Sequence, residues 1–378
     1  MRVLVAAPQM YIYGGAELVI VELLNYLSKN KIEHALLTTG VLPEIERDLL
    51  HQHTEIITLP FGASNDWRDL LKNMWLLSKG IRRHGQRFDV INLHNCPAEL
   101  AAFTISKPAV WLCNEPPEVF LGGGTAREGA PKRFIKAMFY DFDKFIVRRF
   151  VRNVVVADES NAERFKSLYG ITPQIIPYGI NYGFFSNPPE TIPVNKGQFT
   201  VLQSGMFNPY KNQLEAVKTV NLLRDKIPCI SLILAGFQGG AYFEEVKKYI
   251  NGHALNNIVQ LPGHINREQL RELYYASDVL LHPVKSQGGW LSPFEALTAE
   301  TPVVVSTEMT AAPVIKSEGI GTVTEDYAGA LMDVYLNRQR HKQIARRGRQ
   351  FVKDNLTWDN FCGKMVRAFE TALAKHRG

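Results

Sequence analysis

Cysteine is scarce in this chain. Cys96, Cys113, Cys229 and Cys362 are the four among 378 residues, and their wide spacing forms no paired metal or redox pattern. No zinc module or disulfide framework is therefore expected, and a reducing compartment is the default. No run approaches the roughly eighteen apolar residues that a membrane span needs. The chain opens directly on a strand, MRVLVAAP, without a charged leader or a cleavage site, so no secretory signal is expected. Low-complexity segments and short-period repeats are missing, and the one repetition is a loose βα pattern in each half. The Gly14-Gly15 pair does not match G-x-G-x-x-G, which counts against a dinucleotide dehydrogenase. Asp141-Phe142-Asp143 spells D-x-D, but it lies inside a helical pattern and not at a strand end where both carboxylates can reach one cation, so no metal site is expected.

What is present fits two α/β domains of ordinary size. Hydrophobic residues make up 46% of the chain, enough for two cores, and the net charge of +6 favours anionic partners. From residue 258 to 306 the pattern is a buried strand, a Gly turn, an amphipathic helix with Leu270, Leu273 and Tyr274, and a second strand from Val279 to Pro283. A polar, glycine-bearing loop from Lys285 to Ser292 follows, then a helix near Pro293 and a third strand from Val303 to Ser306. Strands alternating with helices imply a parallel sheet, whose ligands bind at the carboxyl ends of the strands. The helix start after this loop suits an anion. Glu295, just inside it, either complements the helix end or holds vicinal hydroxyls of a ribose, since a carboxylate accepts two hydrogen bonds.

The run Gln287-Gly288-Gly289-Trp290-Leu291-Ser292-Pro293-Phe294-Glu295-Ala296-Leu297, with Thr301-Pro302-Val303-Val304-Val305-Ser306, resembles the nucleotide-sugar signature of the retaining glycosyltransferases of family 4. The family has a glutamate where Gln287 stands, and a glycine of its loop is replaced here by Trp290. The resemblance extends over nearly the whole chain and implies a GT-B fold, two Rossmann-like domains with parallel sheets facing across a cleft. It implies a sugar nucleotide as donor, no separate cofactor, no metal, and a glycan or lipid-linked acceptor.

Other motifs are placed by the same resemblance. Gly14, Gly15 and Glu17 match a G-G-x-E element at the donor phosphates, although a G-G pair alone is more often a plain turn. His94 ends a D-V-(apolar)-x-x-H strand and is either a site residue or a strand-end histidine with a satisfied ring. Asn114 stands where relatives carry a histidine that contacts the donor sugar; it hydrogen bonds but cannot titrate near neutral pH. Lys211 matches the lysine of a G-R-x-x-x-x-K-(G/N) motif in which both cations neutralise a diphosphate, and Met206 occupies the arginine position. Lys285 is a candidate for replacing that charge. Leu291 and Ser292 supply backbone N–H groups, and the loops holding Gly236 and His264 are expected to border the nucleobase. With Asn114, His94 and Lys211 as catalytic candidates, the expected enzyme is a retaining hexosyltransferase; a catalytically impaired sugar-nucleotide-binding protein and a nucleotide-sugar epimerase are the alternatives.

The expected division is an acceptor-side domain over 1–186, a donor domain over 187–356 and a terminal helix, 357–378, that returns to the first. Segment 131–152 mixes apolar and basic residues at helical spacing. It fits either an anionic lipid surface or a core helix with a solvated basic side, and the core reading is preferred. Residues 338–353 carry seven Lys and Arg without interleaved aromatics, which reads as a solvated helix face and not a nucleic-acid site. A cytoplasmic location, with peripheral contact at the inner membrane face through 131–152, completes the expectation.

Overall fold

The computed structural model describes residues 1–8, 10–11, 14–49, 54–60, 67–117, 130–192, 197–285 and 290–377. Contacts divide the chain into one unit of residues 1–179 with 358–378 and a second unit of 180–357. The break falls ahead of the Asn187 linker for a packing reason. The Phe185 ring stands edge-on to Tyr274 at 5.7 Å, and the Ser186 carbonyl accepts from Arg349, so 180–186 is tied to the second unit.

In the first unit the described strands are β1 (Arg2–Ala6), β2 (Glu33–Thr38), β3 (Glu55–Thr58), β4 (Val90–His94), β5 (Ala109–Leu112), β6 (Asn153–Val156) and β7 (Gln174–Ile175). They form one parallel sheet in the order β3-β2-β1-β4-β5-β6-β7. Val, Leu and Ile runs are buried on both faces, as sheets covered by helices on each side require. Leu4, Leu37, Ile91, Trp111 and Phe165 belong to that core. Helix Trp358–Arg377 packs on helix Gly15–Lys29 and on β4 and β5, burying Phe361, Cys362, Met365 and Phe369.

The second unit repeats the plan. Its described strands are β8 (Phe199–Ser204), β9 (Ile230–Ala235), β10 (Val259–Gly263), β11 (Val279–His282), β12 (Val303–Val305) and β13 (Thr322–Val323). All neighbours are parallel, in the order β10-β9-β8-β11-β12-β13. Strand order reverses between β1 and β4 in one sheet and between β8 and β11 in the other. At such switch points the connections leave in opposite directions and open a crevice for a ligand.

Three sequence expectations meet their outcome here. Segment 131–152 forms a helix over Ala130–Phe150, but its core packing is only half of the picture. Ile146 and Val147 face inward, while Phe134, Met138 and Phe145 keep 67%, 59% and 59% of their surface exposed. Within that helix Asp143 is buried and accepts from the Tyr169 hydroxyl at 2.6 Å, while Asp141 is exposed, so the two carboxylates do not share a face. Helix Arg338–Asn355 keeps Arg338, Arg340, Arg346, Arg347 and Lys353 exposed, a solvated basic face as expected, and several of these cations also have partners. Arg338 pairs with Asp278, Arg346 and Arg349 with Glu300, and the Arg347 guanidinium donates to the Gly319 carbonyl. Among the described residues no helix is long and apolar enough to cross a membrane.

Candidate functional site

The switch point of the second unit gathers most of the donor-site candidates. β8 ends at Ser204, and the loop beyond it turns on Gly205 at φ +140. Beside it, Gly236 follows β9 at φ +155 and Gly263 ends β10 at φ +84. The three glycines are laced together: Gly205 N–H donates to the Ala235 carbonyl and Gly236 N–H to the Gly263 carbonyl. A Cβ on Gly236 would stand 2.0 Å from the Gly205 oxygen, so no other residue fits. The result is bare backbone at the ends of three adjacent strands, with His264 exposed just after it.

Lys211 lies at the end of the short 3-10 turn Pro209–Lys211, which the Asn208 side chain caps by accepting from Tyr210 N–H. Its aliphatic stem runs past Gly205, whose Cβ position would be 3.5 Å from Lys211 Cε. Two glutamines brace this loop. Gln203 Nε2 donates to the Lys211 carbonyl at 2.7 Å, and Gln213 Nε2 to that of Met206 at 2.9 Å. Met206 itself is 39% exposed. Across the switch point the Lys285 N–H donates to the Tyr210 carbonyl at 2.8 Å. The residue next to Lys211 therefore anchors Lys285, and two lysines distant in sequence share one loop cluster. The Lys285 ammonium also acts on Glu325, helping the hydrogen bonds from Thr307 and Tyr327 to hold that carboxyl low against its partial burial.

Helix Leu291–Thr298 begins where the signature predicts, and its cap residue Trp290 makes no side-chain hydrogen bond to the helix start. Leu291 and Ser292 are half-buried at its mouth. Gln287 lies outside the described residues. Glu295 is more enclosed than the sequence suggests, at 8% exposure. Its Oε2 accepts from the Tyr274 hydroxyl at 3.0 Å, and that hydroxyl sits 3.4 Å from Ser204 Oγ. Burial holds Glu295 above the ordinary carboxylate range, opposed by the positive charge of Arg267 and by the Tyr274 hydrogen bond. Burial likewise pushes Tyr274 well up, so its hydroxyl stays a donor. Gln203, Gln213, Tyr274 and Arg267 did not stand out in the sequence. Tyr274 was legible only as part of an apolar helix face, although a buried tyrosine hydroxyl requires a partner.

In the first unit, Gly15 starts helix Gly15–Lys29 and Gly14 is its extended cap residue. Glu17 turns back to accept from the Gly14 N–H at 3.1 Å, so it serves the helix start, and burial raises its pKa. His94 is 1% exposed, its Nε2 2.6 Å from Asn92 Oδ1. Burial depresses its pKa to about 3, keeping the ring neutral. Asn114, half-buried after β5, accepts from the Tyr178 hydroxyl through Oδ1, and its backbone N–H donates to Asn95 Oδ1. That bond engages one lone pair of the Asn114 oxygen, while the side-chain amide also carries N–H donors. Among the described residues, no cluster of three or more His, Cys, Asp or Glu side chains could hold a metal ion.

Comparison with known proteins matches these features. Residues 13–183 fit the model described as Glycosyltransferase Family 4, and residues 187–351 fit that of Glycosyl transferases group 1. A GDP-mannose-dependent α-(1-6)-phosphatidylinositol monomannoside mannosyltransferase of Mycobacterium tuberculosis is 21% identical over 54% of this chain and 57% of its own length. The chain thus spans about half the length of the curated relatives it matches. Sucrose-phosphate synthase from Thermosynechococcus elongatus superimposes with a TM-score of 0.81 at 16% identity, covering 99% of this chain and 100% of that one. HepE of Anabaena, solved in complex with UDP-glucose, gives 0.79 at 16% identity over 98% and 100%. These structures share the GT-B fold, and the two family models meet at the linker between the paired α/β units: the chain belongs to the group 1 glycosyltransferases of family 4.

Proposed function

We propose that this chain transfers a hexosyl group from a nucleoside-diphosphate sugar to a glycan or lipid-linked acceptor, with retention of configuration and without a metal ion. The observation that carries the reading is the pairing of Lys211 and Lys285 through the Lys285 N–H···O Tyr210 bond, beside the helix that holds Glu295. A departing nucleoside diphosphate needs preorganised positive charge. Two lysines and the N–H groups of Leu291 and Ser292 supply it. Glu295, oriented by Tyr274, takes a ribose hydroxyl, and the backbone at Gly236 with His264 borders the base. Gln287 hydrogen bonds a hydroxyl of the transferred sugar, and Asn114 donates its amide to a sugar oxygen. Neutral, enclosed His94 supports the end of β4.

In the reaction the acceptor hydroxyl oxygen attacks the anomeric carbon from the face that the nucleotide leaves. The bond to the leaving phosphate oxygen breaks with its electron pair, and that phosphate takes the acceptor's proton. No protein nucleophile is consumed, which accommodates a glutamine at 287. UDP-glucose bound to HepE and the GDP-mannose dependence of the mycobacterial mannosyltransferase support a sugar nucleotide as the donor class.

Thermal stabilisation by UDP, GDP, ADP and their sugars, followed by transfer assays with the stabilising donor in a strong chelator, tests this reading. Product that keeps the donor's anomeric configuration is the expected result. Loss of turnover with the chelator and rescue by Mn²⁺ would refute metal independence. Exposed Met206, in the place of a cation, favours one second reading, a protein that binds the donor without transferring it; stabilisation with no transfer or hydrolysis would select that reading.

A further inference from the structure

Helix Ala130–Phe150 of the first unit carries two apolar faces, and the domain core uses one. Ile146 and Val147 point inward, with Phe139 packed beside them. On the other side Phe134, Ile135, Met138, Phe142 and Phe145 keep 67%, 42%, 59%, 39% and 59% of their surface in solvent. Positions 134, 138, 142 and 145 follow the spacing that places residues on one side of a helix, so they form a continuous stripe. Hydrophobic side chains scattered singly over a surface need no explanation, whereas a contiguous stripe implies a covering partner.

Charge identifies the partner. Arg133, Arg148 and Arg149 are exposed along the same helix. Arg148 also fastens the helix to the domain by donating to the Leu168 and Tyr169 carbonyls at 3.1 Å. Of the helix's two acids, Asp143 is turned inward, leaving Asp141 on the surface. The adjoining 3-10 helix, Ala98–Thr104, packs against this helix and also against helix Trp67–His84. It exposes Phe103 at 45%, and helix Trp67–His84 exposes Trp75 at 57% with the Lys79 ammonium 5.1 Å from its ring. Lys72, Arg82 and Arg83 are exposed on that second helix. Apolar and aromatic side chains bordered by cations suit the boundary between headgroups and acyl chains, where the stripe is buried and each cation meets a lipid phosphate.

We propose that this face docks the protein on an anionic lipid bilayer, with helix Ala130–Phe150 lying in the plane of the interface. The proposal does not depend on the sugar-transfer reading, because membrane binding is measured without substrate. The full chain should float with vesicles of phosphatidylcholine containing about one third phosphatidylglycerol and be released by high salt, since surface charges are screened. It should not float with phosphatidylcholine alone. Phe134→Ser/Met138→Ser/Phe145→Ser should reduce the bound fraction at least about tenfold by removing the inserted stripe. Arg133→Glu/Arg149→Glu should do so by a similar factor through charge alone. Both variants replace solvent-facing side chains, so their melting temperatures should match the parent, which separates lost docking from lost folding. Failure to float with anionic vesicles, equal flotation with neutral ones, or indifference to both variants would overturn the proposal. A dimer in light scattering that the triple variant dissociates, without vesicle binding, would show instead that a second copy covers the stripe.

Discussion

Glu295→Gln separates two demands placed on one side chain. The glutamine has the same shape, so the packing of a residue 8% exposed is kept and no cavity opens. What changes is the charge. Replacing a carboxylate that accepts hydrogen bonds from a ligand costs about 1.5–3 kcal/mol, the range for bonds to charged groups. At about 1.4 kcal/mol per factor of ten, donor affinity should fall by roughly ten- to a hundredfold. Stability should move the opposite way. Burial raises the Glu295 pKa in the folded state, so the native protein binds the proton more tightly than the unfolded chain. Its ionised form is then a burden that grows as pH rises from the unfolded value through the folded one and is constant above it. The variant should therefore melt higher than the parent at neutral pH, with the advantage shrinking as the pH falls from the raised folded value to the ordinary carboxylate range and gone below it. Calorimetric titration with the stabilising nucleotide and melting curves from acid to neutral pH measure both. Parent-like nucleotide affinity would show that Glu295 is a helix-end charge and nothing more, and a lower melting temperature at neutral pH would refute the burial argument.

Three further outcomes are expected. Lys211→Ala should lower turnover by about a hundredfold or more, the scale of losing one preorganised charge, and Lys285→Ala should do the same, with Met206→Arg partly restoring the latter. A silent Lys285→Ala beside a damaging Lys211→Ala would end the idea of shared charge. His94→Gln should flatten the pH dependence of stability between about 6.5 and about 3, because a histidine whose folded pKa lies near 3 contributes fully above its unfolded value and loses that contribution as the pH falls through the window; denaturant midpoints across that range would detect it, and an unchanged profile would contradict the burial of a neutral ring. Gly236→Ala should destabilise the second unit by about 1–3 kcal/mol, since the new Cβ meets the Gly205 oxygen at a backbone conformation that alanine avoids; a variant melting within a degree or so of the parent would show that the glycine lacing yields easily.

The plan of alternating strands and helices was legible because buried parallel strands are nearly continuous runs of Val, Ile and Leu, and because polar residues mark their carboxyl ends. Lys285, Ser292 and Glu295 were legible as neighbours for the same reason, lying within one loop and the helix it opens. Contacts between distant segments were not. Nothing in the letters of Tyr210 indicates that its carbonyl anchors Lys285, because a backbone bond leaves no mark on residue type. Tyr274 counts as apolar by spacing, and its hydroxyl matters only once the chain brings it to Glu295. Helix Ala130–Phe150 shows the limit of periodicity most directly. Phe134 and Ile146 are equally apolar, and only the position of the helix on the sheet decides that one is wet and the other dry.

The division of the chain carries a consequence for its synthesis. The first unit is interrupted: its last helix, Trp358–Arg377, follows the whole of residues 180–357 in the order of translation. Until that helix emerges from the ribosome, the surfaces of β4, β5 and helix Gly15–Lys29 that it covers lack Phe361, Met365 and Phe369. The nascent protein can complete its second half before its first. During that interval an unfinished sheet waits with apolar surface bare, the kind of transiently exposed surface that makes a folding intermediate prone to aggregate.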